Sequence, residues 1–143
     1  MSSTFIANVE ITINAPIAQV WKALTDPEIV KQYFFGTNLV VKEWKVGGTI
    51  LYKGEWQGKQ YEDKGIILEY IPEKLLVTNY WSGFSGKPDV PENYQRITYT
   101  LIPVNGATKL TIKQENVPSE ESKKHSEQNW AMVLDGMKKL LEK

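Results

Sequence analysis

The apolar side chains in the first part of the chain recur with a period of two, and the period then changes. Apolar residues recur at every second position from Phe5 to Ile13, which predicts a half-buried strand. Pro16 suits the first turn of a helix. Asp26-Pro27-Glu28 has the residues of a second helix start, so a short helix is predicted over residues 27–34. The apolar stripe of the first helix consists of Ile17, Val20, Trp21 and Leu24.

The middle of the chain consists of further extended segments separated by turns. Gly47-Gly48 and Asn105-Gly106 mark two of these turns, and Asn-Gly is the strongest short signal for a β-hairpin. Connections this short indicate antiparallel pairing. With the first strand, about seven strands are predicted, the later ones over residues 38–44, 49–56, 61–71, 75–81, 94–102 and 109–115.

The last segment returns to helical spacing. Ser119 follows a proline and suits an N-cap, so one long helix is predicted over residues 119–142. The first half of this helix has no large apolar residue, and it either lies in solvent or covers a space that side chains do not fill. The second half must pack on the sheet, because it has an apolar face formed by Trp130, Val133, Leu134, Met137 and Leu141.

These elements predict an α+β fold in which a curved antiparallel sheet wraps around the long helix. A sheet of about seven strands twists and curls, and one helix cannot fill its concave face from end to end. We therefore expect a residual cavity between the sheet and the C-terminal helix, partly closed by the two short helices. Cavities with apolar and aromatic walls and a few polar groups are the usual sites for small molecules.

Five short motifs, taken in order, resemble one family. The order strand, two short helices, six strands and a long helix resembles the START-like (SRPBCC, Bet v-like) helix-grip fold. Within it, the motifs resemble the branch named for activators of the ATPase of heat shock protein 90, over about residues 6–142. The motifs are NAPIAQVWKALTDPE, VGGTI, GIILEYIPEKLLVTNYW, NGATKLTIKQENVP and NWAMVLDGMKKLLE.

The resemblance implies a single START-like domain over residues 1–143 that carries or senses a small apolar or aromatic molecule. The co-chaperones that give the branch its name join this domain to a separate N-terminal domain, which contacts the chaperone and carries the main stimulating motif. We expect that second domain to be absent here. The alternative implied by the resemblance is a module that interacts with the chaperone, and a third hypothesis is a cyclase or hydrolase of the kind found elsewhere on this fold.

Composition and charge exclude several classes of function. Lysine plus arginine and aspartate plus glutamate both number 17, so the net charge is zero and no nucleic-acid surface is predicted. The sequence has no cysteine, which excludes disulfides, thiol catalysis and cysteine-rich zinc sites. It has no signal peptide, membrane span or nucleotide-binding motif, so we expect a cytoplasmic protein without a cofactor.

Few side chains in the sequence suggest catalysis. His125 is the only histidine and lies off the apolar face of the last helix, so we interpret it as a solvated residue and predict no metal site. Ser82 lies in a loop without a nucleophile motif. Glu62, Asp63 and Glu69 share a strand, and alternation places Asp63 and Glu69 on one face, where a raised pKa could support catalysis. Surface charge is the commoner role, and the chain is not expected to be an enzyme.

Two amide side chains lie on strand faces that are otherwise apolar. Asn79 shares a face with Leu75, Val77 and Trp81, which we expect to point toward the C-terminal helix. Gln114 lies on an apolar face of the last strand, where the resembling family often has a histidine, so chemistry that needs an ionisable group there is in doubt. A buried amide needs partners, so the two either pair with backbone or with each other near the end of the sheet, or orient a polar group of a ligand.

Aromatic residues make up 11% of the sequence, more than a compact core readily interdigitates. Trp21 and Trp130 lie at helical core spacing and are predicted to pack. Phe84 follows the strand that ends at Trp81 and is predicted to act as a lid over the cavity. The full set predicted to bind a ligand is Tyr33, Phe34, Trp44, Tyr52, Trp56, Asn79, Trp81, Phe84, Tyr99, Gln114, Trp130 and Leu134.

Overall fold

A computed structural model describes residues 5–34, 37–41, 43–56, 58–82 and 88–142, and within them seven strands form one sheet with three helices packed on it. The helices are α1 (Ile17–Thr25), α2 (Pro27–Tyr33) and α3 (Glu120–Leu141). The strands are β1 (Phe5–Ile13), β2 (Asn38–Val41), β3 (Thr49–Trp56), β4 (Lys59–Ile71), β5 (Leu75–Tyr80), β6 (Gln95–Val104) and β7 (Ala107–Val117).

The strand order is β1-β7-β6-β5-β4-β3-β2, and all neighbours are antiparallel. Strands β2 to β7 follow one another as a meander, while β1 crosses over to pair with β7. The predicted turn between β6 and β7 is confirmed, because Asn105 and Gly106 both have positive φ, 49° and 83°. This is the backbone that a two-residue hairpin turn of the primed type requires.

The predicted starts of α2 and α3 are confirmed by their caps, whereas Pro16 is the N-cap of α1, one residue before the helix, and makes no side-chain cap. The side chain of Asp26 accepts a hydrogen bond from the N–H of Glu28 (2.9 Å), and Pro27 is the first residue of α2. The hydroxyl of Ser119 accepts from the N–H of Ser122 (3.0 Å) at the start of α3. The predicted α+β helix-grip architecture is therefore confirmed, with α3 lying against the concave face of the sheet.

A β-bulge in β4 changes which of its side chains face α3. Ile67 pairs with Thr78, but Glu69 pairs with the next residue back, Val77, so Leu68 is the extra residue of the bulge. The strict alternation expected along this strand therefore ends at Ile67.

Because of the bulge, the prediction that Asp63 and Glu69 share a face is wrong. Asp63 is buried on the concave face, whereas Glu69 is exposed and lies 4.0 Å from the guanidinium of Arg96. Tyr70 takes the inward position instead, and its ring lies 5.6 Å from that of Trp21. The predicted packing role of Trp21 is thereby confirmed.

Strand β5 presents to α3 the face opposite to the one predicted. Leu76 lies beside α3, and Tyr80 packs against Tyr52. Alternation then places the other set on the convex face, which corrects the expected orientation of Leu75, Val77, Asn79 and Trp81. The physical reason is that apolar residues are consecutive at the start of this strand, so its pattern does not fix which face is buried.

The side chains of Asn79 and Trp81 have partners on that convex side. The Asn79 Oδ1 atom accepts a hydrogen bond from the N–H of Ile66 (2.6 Å) on the neighbouring strand. The Nζ atom of Lys64 lies 5.7 Å from the ring centroid of Trp81. Asn79 therefore stabilises the pairing of β4 with β5, and Trp81 takes part in a cation–π contact.

The outer edge of the sheet at β1 is closed by side chains of α3. An edge strand leaves backbone N–H and C=O groups without ladder partners and can template pairing with another chain. Two polar residues of α3 and its C-cap residue, Glu142, bond to these groups or to the residue that follows β1. Glu127 accepts from the N–H of Asn8 (3.0 Å), Glu142 accepts from the N–H of Asn14 (2.7 Å), and Lys138 donates to the C=O of Thr12 (3.0 Å).

We expect Glu142→Gln to lower the free energy of unfolding near neutral pH and to have little effect in acid. The N–H of Asn14 and then the ammonium of Lys138 lower the pKa of Glu142 below its ordinary 4.5. Stabilisation by this carboxylate is therefore complete above pH 4.5 and is lost as the pH falls through the lower folded value. Urea unfolding of both proteins at a series of pH values measures the difference. Glu55→Gln, on the exposed side of β3, is the control, and an equal pH dependence for the two variants would contradict the prediction.

Candidate functional site

Aromatic side chains from four elements meet between the concave face of the sheet and α3. Phe34, at the end of α2, lies 5.7 Å from Trp130 of α3 in an edge-to-face arrangement and 6.5 Å from Tyr52 of β3. Tyr99 of β6 lies 5.9 Å from Trp130, also edge to face. These centroid distances and tilts are the ones that aromatic pairs prefer.

The rings surround a small cavity of about 30 Å³. Space of this size holds about two water molecules. Its walls are apolar apart from the tyrosine hydroxyls and the indole N–H groups. The lining residues are Leu24, Val30, Tyr33, Phe34, Leu39, Trp44, Ile50, Tyr52, Leu76, Tyr99, Ile112, Trp130, Val133, Leu134 and Met137.

Trp44 reaches this cavity from a bend rather than from a strand. Strand β2 ends at Val41, earlier than predicted, and Trp44 lies in the turn that leads to β3. Its ring stacks on Tyr70, with centroids 6.1 Å apart and an interplanar angle of 26°. Tyr70 also contacts Trp21, so Trp44, which lines the cavity, is joined through Tyr70 to α1.

Gln114 holds the indole of Trp130 in place. Its Oε1 atom accepts a hydrogen bond from Trp130 Nε1 (2.8 Å), and its Nε2 atom donates to Gln95 Oε1. The side chain is buried, and both ends of the amide are used by protein groups. These partners are the side chains of Trp130 and Gln95, so the predicted pairing of Gln114 with backbone or with Asn79 is not the one present.

We expect Gln114→Leu to lower the free energy of unfolding by about 1–3 kcal/mol. The reason is that the partly buried Trp130 N–H loses its acceptor while the volume of the residue 114 side chain is nearly kept. Guanidinium unfolding measures the loss, and Thr98→Val, on the opposite face of β6, is the control. A loss no larger than that of the control would contradict the role assigned to Gln114.

Burial raises the pKa of the three tyrosines that line the cavity. The pKa of Tyr52 is raised to about 12, chiefly by burial, and burial also raises the pKa values of Tyr33 and Tyr99 well above their ordinary value. The hydroxyls of Tyr52 and Tyr99 interact with each other, and the Tyr33 hydroxyl donates to the C=O of Ala23 (2.6 Å). These hydroxyls remain protonated at physiological pH and can act as hydrogen-bond donors.

A buried carboxylate lies next to this tyrosine cluster. Asp63 of β4 is the direct cross-strand partner of Tyr52, and its side chain is 8% exposed. Its Oδ2 atom accepts a hydrogen bond from the hydroxyl of Tyr80 (2.5 Å). Tyr80 in turn packs edge to face on Tyr52 at 5.8 Å. Burial, followed by the charge of Asp63, raises the pKa of Tyr80 well above its ordinary value.

The structure brings together most, but not all, of the residues predicted to bind a ligand. Asn79 and Trp81 lie on the convex side of the sheet. Gln114 is not among the lining residues, but it bonds to Trp130, which lines the cavity. Phe84 and the side chain of Trp56 lie outside the described residues. The predicted residues that line the cavity are Tyr33, Phe34, Trp44, Tyr52, Tyr99, Trp130 and Leu134.

The other candidate residues lie away from the cavity. His125 is exposed on α3, which confirms the prediction of a surface position. Glu62 is exposed, with Lys53 Nζ 3.8 Å away. Within the described residues, no group of three or more histidine, aspartate or glutamate side chains could hold a metal ion. In the same part of the chain, no helix is both long and apolar enough to cross a membrane.

Sequence reasoning did not predict that Tyr70 and Tyr80 face inward, or that Asp63 is buried beside Tyr80. The bulge at Leu68 leaves no signal in the pattern of apolar residues, because Ile66, Ile67 and Leu68 are all apolar. Tyr80 follows Asn79, whose side-chain amide bonds to the backbone of β4 and not to a group in the cavity. A short polar residue next to an aromatic residue in a strand could have indicated that the aromatic side chain, and not the polar one, faces inward.

The comparisons with known proteins agree with this architecture. The family model described as Activator of Hsp90 ATPase homolog 1-like protein matches residues 14–142. Among curated proteins, none matches the chain.

Several solved structures have the same fold. The chain is 47% identical to ChR145 from Cytophaga hutchinsonii, with a TM-score of 0.85, covering 99% of this chain and 97% of that one. It is 22% identical to CV1439 from Chromobacterium violaceum, with a TM-score of 0.78 and coverage of 96% and 97%. It is also 22% identical to the protein in the solution structure of the Aha1 dimer from Colwellia psychrerythraea, with a TM-score of 0.73 and coverage of 96% of both chains.

Proposed function

Given that the chain belongs to the family of Activator of Hsp90 ATPase homolog 1-like proteins, we propose that it binds a small apolar or aromatic molecule between the sheet and α3. The observation that carries the proposal is the convergence of Phe34, Tyr52, Tyr99 and Trp130 from four elements on one small cavity. Apolar and aromatic walls with a few polar groups are typical of small-molecule sites.

Binding requires the walls of this space to move apart. Pockets for small molecules usually have volumes of about 300–1,000 Å³, far more than the cavity of about 30 Å³ between these rings. A ligand must therefore displace aromatic side chains, together with the element that carries them.

We expect α2 to be the wall that moves. It is the shortest of the three helices, with seven residues, and Val30 is its one buried side chain, while Ile29 and Tyr33 pack partly buried against the core. The hydroxyl of Tyr33 ties it to α1 through the C=O of Ala23. By contrast, α3 and its C-cap residue are bonded to the edge of the sheet by three side chains. Outward movement of α2 would carry Phe34 away from Trp130 and open the cavity on that side.

The proposal is tested with ethylbenzene as an apolar aromatic probe. Because Trp130 lies in the cavity wall, tryptophan emission is expected to change and to saturate as ethylbenzene is added. Trp130→Phe should remove most of this change, whereas Trp21→Phe should keep it. Native mass spectrometry of the chain purified from its own cells should also show a retained small molecule. The absence of any saturable response in emission or in protein NMR spectra would contradict the proposed function.

A second candidate function is interaction with a chaperone of the heat shock protein 90 type. Apolar side chains on the convex side of the sheet favour it, since Ile66, Leu68, Ile71 and Ile102 are between 37% and 48% exposed. This candidate predicts that the chain alters the ATPase rate of the chaperone. An unchanged rate at excess concentration would rule it out, and Ile71→Ser with Ile102→Ser is the variant that should reduce an effect.

The proposed role is binding rather than turnover. The bulge separates Asp63 from Glu69, and the exposed Glu62 and Glu69 lie beside Lys53 and Arg96. A pair of carboxylates acting together is therefore not supported by their positions. An enzyme of the cyclase or hydrolase type would require loss of a measured turnover in Glu69→Gln or Asp63→Asn.

A further inference from the structure

The buried carboxylate of Asp63 has one oxygen that no protein group uses within the described residues. Its Oδ2 atom accepts from Tyr80, but its Oδ1 atom is buried and has no hydrogen-bond partner there. No lysine, arginine or histidine nitrogen of the described chain lies within 4.0 Å of this carboxylate. Buried polar atoms are almost always hydrogen-bonded, and a buried carboxylate normally has several donors.

The neighbouring cation is directed elsewhere. Lys64 follows Asp63 on β4, so alternation places it on the convex face. There it forms an ion pair with Asp89 and lies over the ring of Trp81. Asp63 is thus left with a tyrosine hydroxyl as its donor, while the cation next to it in sequence is held on the other side of the sheet.

Asp63 is connected to the cavity through its direct neighbours. Tyr52 pairs with Asp63 across β3 and β4, and Tyr52 lines the cavity. Tyr80 touches both the carboxylate and the ring of Tyr52. Two residues before Asp63 on the same face, the hydroxyl of Tyr61 bonds to the buried Thr37 (2.6 Å). Polar groups are therefore concentrated at the β3–β4 end of an otherwise apolar interior.

From this arrangement we propose that the ligand of the cavity carries a protonated amine on an apolar or aromatic body, and that Asp63 Oδ1 accepts a hydrogen bond from it. The inference rests on the proposed function, since it adds a polar end to the same binding space. Charge-assisted hydrogen bonds are roughly twice as strong as neutral ones, and low dielectric strengthens them further. A cationic donor would form a hydrogen bond to Asp63 Oδ1 and also balance the buried negative charge. A neutral donor would supply only the hydrogen bond.

Three probes with the same phenyl and methylene groups separate these contributions: benzylamine, benzyl alcohol and ethylbenzene. In the unaltered protein, we expect benzylamine to bind at least about tenfold more tightly than ethylbenzene, as measured by calorimetry or NMR titration. Asp63→Asn should remove this preference, so that benzylamine binds this variant no more tightly than ethylbenzene does. Glu62→Gln is the matched control, because Glu62 is an exposed acid that immediately precedes Asp63. This variant should keep the preference for benzylamine.

A measurement on the unaltered chain keeps the test valid if Asp63→Asn does not fold. The ¹³C resonance of the Asp63 carboxyl should shift on addition of benzylamine and stay in place on addition of ethylbenzene. Equal affinities for benzylamine and ethylbenzene would overturn the amine proposal while leaving the proposed function intact. Tightest binding of benzyl alcohol would overturn it in favour of a neutral donor. Failure of all three probes to bind would overturn the proposed function and this inference together.

Discussion

Leu134→Ala is expected to lower the free energy of unfolding by about 3 kcal/mol and to enlarge the cavity. Leu134 is 2% exposed and lies in the cavity wall on α3. Truncating a buried leucine removes its transfer free energy and leaves a void that the surroundings close only in part, at a typical cost of about 2–5 kcal/mol. Urea unfolding monitored by circular dichroism measures the loss.

The same variant also tests the proposed binding site. An apolar cavity enlarged by a leucine truncation stays dry and accepts a benzene-sized molecule. Ethylbenzene should therefore bind Leu134→Ala more tightly than the unaltered chain and should recover part of the lost stability. Met132→Ala is the matched control, because Met132 is on the same helix but 59% exposed, and its effect should stay within about 0.5 kcal/mol. A loss for Leu134→Ala as small as that of the control would contradict its place in the core.

Gly65→Ala is expected to destabilise the fold by about 3 kcal/mol or more, because it forces β4 and β5 apart. A Cβ atom at this position would lie 2.0 Å from the carbonyl oxygen of Asn79 and 3.0 Å from its carbonyl carbon. Both atoms belong to the backbone and cannot turn aside as a side chain can. Overpacking costs about 1–3 kcal/mol, and the backbone hydrogen bonds between Lys64 and Trp81 would be weakened as well.

The same substitution at Gly136 should have the opposite sign. A Cβ atom there would lie 3.4 Å from the Cβ of Tyr33, which is an ordinary contact. Replacing a glycine inside a helix by alanine stabilises it by up to about 1 kcal/mol. Thermal unfolding of both variants distinguishes a steric effect from a general effect of alanine. If both lower the melting temperature equally, the close approach of β4 to Asn79 does not explain the result.

The sequence was sufficient for elements whose pattern has one period and clear ends. Strand β1 was predicted to the residue, since apolar side chains recur at every second position from Phe5 to Ile13 and Ile6 is the one further apolar residue between them. Helix α3 was predicted within one residue at each end, since Ser119 caps it and its apolar face has a single register. In both cases local propensity, capping and burial favour the same structure, and no tertiary contact had to be known.

The faces of β4 and β5 could not be predicted, because their apolar residues are consecutive. A one-residue change of register moves every side chain to the other face, and the bulge at Leu68 is such a change within β4. The polar end of the cavity depends on these faces, so the pairing of Asp63 with Tyr80 was missed. The cavity volume also could not be predicted from the sequence, because it depends on how the rings of Phe34, Tyr52 and Trp130 interdigitate.

The pairing of β1 with β7 has a consequence for the chain during its synthesis on the ribosome. Ile13 pairs with Thr108, so on the order of a hundred further residues must be synthesised before β1 can pair with β7. At about 5–20 residues per second, this delay lasts about 5–20 s. Throughout it, the nascent chain carries an extended apolar segment that the meander of β2 to β6 cannot cover. A chaperone that holds unfolded chains would therefore meet this protein first at its N-terminal strand.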